Sequence, residues 1–143
     1  LYDIFILCKE YMMNRLFELG ISDKEMKFML EQCSDIINMS EIEVDEKIDI
    51  LKYIGCTMKQ VKNIIIANPY YLCRMNEDIL KLISYLKKIG LSSIYLLFDS
   101  NPYFLNNDDF EIREYVDKRI SNGDSLEDIV DDIESNPYII DEE

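Results

Sequence analysis

The sequence contains no histidine and no tryptophan among its 143 residues. Without histidine, the chain lacks the side chain whose charge changes most readily near neutral pH and that most often ligates transition metals. It also has no glycine-rich phosphate loop, and no nucleophile lies in a recognisable strand–turn–helix motif. These absences predict a protein that is not an enzyme and that uses no cofactor.

Cysteine is sparse, and the four residues are scattered without a CxxC pair: Cys8, Cys33, Cys56 and Cys73. A zinc site would require four thiolates to converge from separate segments. Scattered cysteines of this kind more often fill a core as reduced thiols, so we predict no metal site. Because free thiols suit a reducing compartment, we expect a cytoplasmic location.

Long hydrophobic runs are also missing. No segment approaches the roughly 20 apolar residues that a membrane-spanning helix requires. The apolar start, LYDIFILC, is too short and too acidic for a secretory signal, and no transit peptide rich in arginine and serine is present. The sequence therefore predicts no contact with a membrane.

Basic residues are scarce in the last third of the chain. The whole sequence holds 29 acidic and 15 basic side chains, for a net charge of -14. Residues 1–90 hold 14 acids and 12 bases (net -2), whereas residues 91–143 hold 15 acids and 3 bases (net -12). Because such a charge repels a phosphate backbone, nucleic-acid binding by residues 91–143 is disfavoured.

Glycine occurs only four times, at steps of 35, 35 and 33 residues: Gly20, Gly55, Gly90 and Gly123. This period is typical of stacked helical units, and a glycine just past a helix end closes the helix in a left-handed conformation. Hydroxyls follow closely in SDKE (22–25), TMKQ (57–60) and SLED (125–128), which are capping-box patterns. Each glycine therefore predicts one helix stop, followed almost at once by a helix start.

Proline occurs only three times, at the same place in three units: NPYYL (68–72), NPYFL (101–105) and NPYII (136–140). The residue before proline leaves the helical region, and proline then begins a short turn. The first unit has CSDII in this place and is interpreted as a degenerate copy. Apolar residues at helical spacing predict a core between helices that includes Ile64, Ile65, Leu86, Leu97 and Val130.

The predicted fold is all-α, since no long alternating run indicates a strand. We expect a short right-handed-type helical-repeat solenoid of about four units, each made of two helices and a short proline-led turn. The expected organisation is a single domain over residues 1–143. Its units are approximately 1–38, 39–73, 74–105 and 106–143.

Three copies carry a resemblance to a known family: LKYIGCTMKQVKNIIIANPYYL, LKKIGLSSIYLLFDSNPYFL and NGDSLEDIVDDIESNPYII. Over about residues 16–140 the chain resembles the mitochondrial transcription termination factor (mTERF) family. The resemblance implies repeats of two α-helices and a 3₁₀ turn in a curved solenoid. It also implies nucleic-acid binding along a basic face, which residues 91–143 do not offer.

The strongest surface feature is a set of carboxylates at the predicted last helix, which includes Asp124, Glu127, Asp128, Asp131, Asp132 and Glu134. Helical spacing places them opposite an apolar face that runs from Leu126 to Ile133. The first hypothesis is a non-enzymatic module that binds a basic protein surface, as an acidic mimic or inhibitor of a nucleic-acid-binding enzyme. The competing interpretation is a solvated face that only keeps the protein soluble.

The alternative function follows the family resemblance. It uses a thin basic surface in the middle of the chain, formed by Lys52, Lys59, Lys62, Arg74, Lys81, Lys87 and Lys88. Tyrosines that recur at the prolines could stack on bases, but a repeated aromatic beside a repeated proline more often packs between units and hydrogen-bonds through its hydroxyl. These tyrosines are Tyr70, Tyr71, Tyr103 and Tyr138. The sequence predicts no particular oligomeric state.

Overall fold

The computed structural model describes residues 14–142. Over this range the chain forms nine α-helices and two 3₁₀ helices, and no strand occurs within it. The all-α helical-repeat prediction is therefore confirmed. The chain divides into two compact units, with the division between Arg74 and Met75. A single domain over residues 1–143 stays a prediction.

The first unit contains five of the helices. They are α1 (Asn14–Glu18), α2 (Asp23–Gln32), α3 (Glu41–Tyr53), α4 (Met58–Ala67) and α5 (Tyr70–Cys73), with a 3₁₀ helix (Ser34–Asn38) between α2 and α3. Helix α3 packs on α1 and α4, while α2 also packs on α4. An ion pair between Arg15 Nε and Asp45 Oδ1, at 2.9 Å, ties α1 to α3.

The second unit repeats this plan. It consists of α6 (Asn76–Ile89), α7 (Ile94–Ser100), a 3₁₀ helix (Pro102–Asn106), α8 (Asp109–Ser121) and α9 (Leu126–Ser135), followed by turns. Helix α6 packs on α7 and α8, and α8 packs on α9. In both units the two helices of a repeat are joined by a short turn.

The helix ends follow the predicted glycine rule. All four glycines have φ between +89° and +111°, where a Cβ would be strained. At the end of α6, the N–H of Gly90 donates to the carbonyls of Leu86 and Lys87, and the N–H of Leu91 reaches back to Leu86. Carbonyls left over by the last turn are thereby satisfied.

The helix starts agree with the sequence at two predicted capping boxes and depart from it at a third. Ser22 with Glu25, and Thr57 with Gln60, exchange reciprocal hydrogen bonds. Ser125 accepts the N–H of Asp128 without a reciprocal bond. Two further boxes open the second helices of their repeats, formed by Ser40 with Glu43 and by Asp108 with Glu111.

The turn before each proline has nearly the same backbone in every copy. Asn68, Asn101 and Asn136 have φ from -136° to -133° and ψ from 78° to 87°. Cys33, in the copy without proline, has φ -144° and ψ 91° and is followed by the 3₁₀ helix. The interpretation of CSDII as a degenerate copy therefore agrees with the structure, because the turn persists without its proline.

The predicted core residues are all buried. Ile64, Ile65 and Leu86 have no exposed surface, and the most exposed of the set, Val130, is 7% exposed. The predicted apolar face of the last helix is buried only in part. Leu126 is 40% exposed, because it lies at the first position of α9.

The cysteines depart from the expectation of scattered core thiols. Cys33 and Cys56 are buried, but Cys73 is exposed, and Cys8 lies outside the described residues. The Sγ atoms of Cys33 and Cys73 contact each other at 3.4 Å. Partial burial of the Cys73 thiol, together with the neighbouring Cys33 thiol, raises the pKa of Cys73 to about 12. At neutral pH this thiol is therefore protonated.

Candidate functional site

The first unit contains a long stretch of chain without a carboxylate. Between Asp49 and Glu77 there is no acidic residue, and the bases are Lys52, Lys59, Lys62 and Arg74, which gives residues 50–76 a net charge of +4. Helix α4 lies in the middle of this stretch. In a protein of net charge -14, residues 50–76 are the longest stretch of sequence without a carboxylate. We therefore expect this part of the chain to repel a negatively charged partner least.

Helix α4 presents two of these lysines on its outer side. Lys59 and Lys62 are three residues apart and therefore share a face, while Val61, Ile64 and Ile65 are fully buried on the other side. Lys59 is exposed and Lys62 is half-buried. Because the buried side anchors the helix, the core of the first unit determines which face of α4 carries the two lysines.

Lys62 also lies close to the start of α2. Its Nζ is 3.8 Å from the position that a Cβ on Gly20 would occupy. The pKa of Glu25 is lowered, first by the hydrogen bonds of its carboxylate with the Ser22 backbone and side chain, and further by the charge of Lys62. The positive charge of α4 therefore extends to the first turn of α2, where the carboxylate of Glu25 partly offsets it.

The other predicted basic residues occupy different places. Lys52 lies near the end of α3, beside a depression of about 320 Å³ that Arg15, Glu18, Asp45 and Asp49 also line. Arg74 is half-buried at the end of the first unit. The charges around Lys52 are therefore mixed, unlike those of α4.

Lys81, Lys87 and Lys88 belong to α6 in the second unit. Lys81 pairs with Glu77 at 3.2 Å, while Lys87 and Lys88 are exposed in the last turn. Cations near the last turn favour the helix dipole, which gives this pair a structural role. The seven predicted basic residues are thus divided between the two units.

A buried lysine was missed by the sequence reasoning. Lys47 on α3 is 5% exposed, and its backbone carbonyl accepts a 2.6 Å hydrogen bond from the hydroxyl of Tyr71. Burial lowers the pKa of Lys47 and raises the pKa of Tyr71. This contact fixes the turn of α5 against α3, and a helical pattern alone does not identify it, since Lys47 lies in the charge-rich stretch DEKID (45–49).

The predicted acidic face is partly occupied by contacts within the second unit. Arg119 Nε lies 2.6 Å from Asp124 Oδ2, and its Nη2 lies 2.7 Å from Asp132 Oδ2. A third nitrogen, Nη1, donates to the hydroxyl of Tyr115 at 2.8 Å. The two carboxylates raise the pKa of Arg119, and this network joins α8 to α9.

The remaining predicted acids lie along the outer side of α9. Glu127, Asp128 and Asp131 are exposed, and Glu134 accepts a 3.3 Å hydrogen bond from the Ser92 N–H. Helical spacing at i, i+4 and i+7 puts Glu127, Asp131 and Glu134 in one row. The structure therefore separates this row from Asp124 and Asp132, which the sequence grouped with it.

The tyrosines at the prolines fall into two groups. Tyr71 is fully buried, as packing between helices requires, whereas Tyr70, Tyr103 and Tyr138 are about half exposed. The Tyr138 hydroxyl donates to the Ser100 carbonyl at 3.0 Å. Packing and hydroxyl bonding therefore account for Tyr71 and Tyr138, while Tyr70 and Tyr103 leave aromatic surface exposed.

Neither a metal site nor a membrane helix emerges in the part of the chain that the structure describes. No group of three or more cysteine, aspartate or glutamate side chains among residues 14–142 is placed to hold a metal ion. No helix in that range is long and apolar enough to cross a bilayer.

Repeats of two helices, each repeat closed by a left-handed glycine and folded at a short turn, define a helical-repeat protein. A family model described as mTERF matches residues 37–141, which is more than half of the chain. The chain therefore belongs to the mTERF family, as the resemblance predicted. Comparisons with curated proteins and with solved structures give no match.

Proposed function

We propose that this chain binds nucleic acid through the basic outer face of α4. The observation that carries the proposal is that Lys59 and Lys62 lie on one face in a 27-residue stretch, residues 50–76, without a carboxylate. Membership of the mTERF family, whose proteins bind nucleic acids, supports the same function. The role is that of a binding module rather than an enzyme.

Few phosphate contacts are available, so binding is weak and strongly dependent on salt. If two to four cations of the first unit contact phosphates, the slope of log K against log salt is about -2 to -4 for a duplex. The net charge of -12 over residues 91–143 repels the remainder of a long nucleic acid. We therefore expect short segments to be bound at the first unit.

The first prediction concerns Lys59→Gln combined with Lys62→Gln. Fluorescence anisotropy with labelled RNA and duplex DNA oligonucleotides should show weaker binding, and the salt slope should decrease in magnitude by about two, because each lysine neutralises one phosphate. Lys87→Gln combined with Lys88→Gln is the matched control, since it removes the same charge from the second unit. Equal losses in both variants would show that only the net charge matters and would refute the α4 assignment.

A second proposed function is binding of a basic protein to the acids of α9. The exposure of Glu127, Asp128 and Asp131 favours it, although Asp124 and Asp132 are held by Arg119. Exposed like charges mainly steer the encounter with a partner. Titration with a cationic peptide of lysine and serine tests whether the negative charge of these acids is sufficient for binding.

A further inference from the structure

Two adjoining depressions lie against α9 in the second unit, one beside α7 and the other beside the end of α6. One has a volume of about 300 Å³ and the other about 430 Å³, and both are open to solvent. Ser92 and Glu134 line both of them. Together they form one groove, which we call the α7–α9 groove, with the Glu134–Ser92 hydrogen bond at its middle.

The α7–α9 groove contains exposed leucines among polar side chains. Leu96 and Leu126 line it and are 48% and 40% exposed, the neighbouring Leu97 and Val130 are buried, and serine hydroxyls line the part beside α7. Exposed leucines that line a groove are the kind of surface that takes up apolar side chains of a ligand. Leu126, at the first position of α9, therefore presents apolar surface to this groove.

The charged residues that line the groove are all acidic. Glu127, Asp131 and Glu134 form the row along α9, and no lysine or arginine lines either depression. The guanidinium of Arg119, which could have neutralised the row, is instead held by Asp124 and Asp132. Exposed leucines beside a row of acids are complementary to a segment that carries both apolar and cationic side chains.

We infer that the α7–α9 groove binds a basic amphipathic helix of a partner protein. Its apolar side chains would contact Leu96 and Leu126, and its lysines or arginines would pair with Glu127 and Asp131. This inference rests on the second proposed function and specifies the class of partner. A second copy of this chain is a poor occupant, because the basic helix α4 has its apolar residues Val61, Ile64 and Ile65 buried.

The test uses two synthetic peptides of equal charge and length. One places leucine at helical spacing among lysines, and the other replaces every leucine by serine. Fluorescence anisotropy should show that the leucine–lysine peptide binds about tenfold more tightly or better, because only this peptide buries apolar surface in the groove. In Leu96→Ser combined with Leu126→Ser, both at exposed positions, this advantage should disappear.

A pair of charge variants tests which carboxylates contribute to binding of the leucine–lysine peptide. Glu127→Gln with Asp131→Asn should weaken binding of the leucine–lysine peptide several-fold, and the loss should shrink as salt is raised. The matched control is Glu114→Gln with Asp117→Asn, which removes the same charge from exposed acids of α8 that line neither depression. The control should keep most of the affinity.

The outcomes separate the two proposals. Equal affinity for both peptides, lowered by the Glu127 and Asp131 variant, would overturn the groove and leave the acidic face in place. Absence of binding by either peptide would overturn both. Equal losses in the groove variant and in its matched control would show a diffuse field and would also overturn the groove, as would self-association that the leucine variant abolishes.

Discussion

Asn101 shows how one side chain can join successive repeats. It is fully buried, and its Nδ2 donates a 2.9 Å hydrogen bond to the carbonyl of Pro137, which is 36 residues further along the chain. Its backbone has the same extended turn as Asn68 and Asn136. The asparagine therefore has two roles, because it ends one helix and holds the turn of the next repeat.

Replacement of Asn101 by alanine should destabilise the second unit by about 1–3 kcal/mol, since a buried hydrogen bond is lost and the Pro137 carbonyl loses a donor. Chemical denaturation measures the change. Asn136→Ala is the matched control at the same repeat position, where the amide is only half-buried and contacts Glu142 at 3.3 Å. A loss at Asn136 as large as that at Asn101 would contradict the assigned role.

Arg119 marks the limit of what the sequence could predict about the acidic site. Spacing along α9 correctly places Glu127, Asp131 and Glu134 in one row. It does not show that Asp124 and Asp132 meet the same guanidinium, because that contact depends on how α8 packs against α9. A side chain from another helix must be located in space before a charge cluster can be divided into paired and exposed members.

At the scale of the helix, α6 has one buried and one exposed side. Ile79, Leu82, Ile83 and Leu86 are buried, while Leu80 is 46% exposed. The acids Glu77 and Asp78 lie in the first turn and Lys87 and Lys88 in the last, as the helix dipole favours. Burial of one side against α7 and α8 therefore supplies most of the stability of this helix.

The helix gives a direct test of the packing. Leu86→Ala should cost about 2–5 kcal/mol, because the side chain is fully buried and its removal leaves a cavity. Leu80→Ala, on the exposed side of the same helix, should change stability by about 0.5 kcal/mol or less. Urea denaturation followed by circular dichroism gives both values, and similar costs for the two variants would mean that the buried side is assigned wrongly.

Helix boundaries were the most predictable part of the fold. Glycine, hydroxyl and proline act through neighbouring backbone atoms, so the stops at Gly20, Gly55 and Gly90 and the caps at Ser22 and Thr57 could be found from the sequence. The box at Asp108 was missed because its aspartate lies in a run of polar residues, NNDD, where several positions could begin a helix. The short helices after the turns depend on contacts such as Tyr71 with Lys47, which the sequence does not specify.

At the scale of the whole molecule, charge distinguishes the two units. Residues 1–74 hold 12 acids and 9 bases (net -3), whereas residues 75–143 hold 17 acids and 6 bases (net -11). A chain built from similar repeats thus carries two different surfaces. The proposed nucleic-acid contact belongs to the first unit and the proposed protein contact to the second, so the two can be tested separately.

Hydrogen–deuterium exchange with and without a bound oligonucleotide tests the nucleic-acid proposal most directly, because it locates the contact without altering the chain. Slower exchange is expected over residues 58–67 when RNA or duplex DNA is added at low salt, and exchange over residues 126–135 should stay unchanged. High salt should remove the protection together with the binding. Protection confined to residues 126–135, or a stable complex with no change over residues 58–67, would contradict the account.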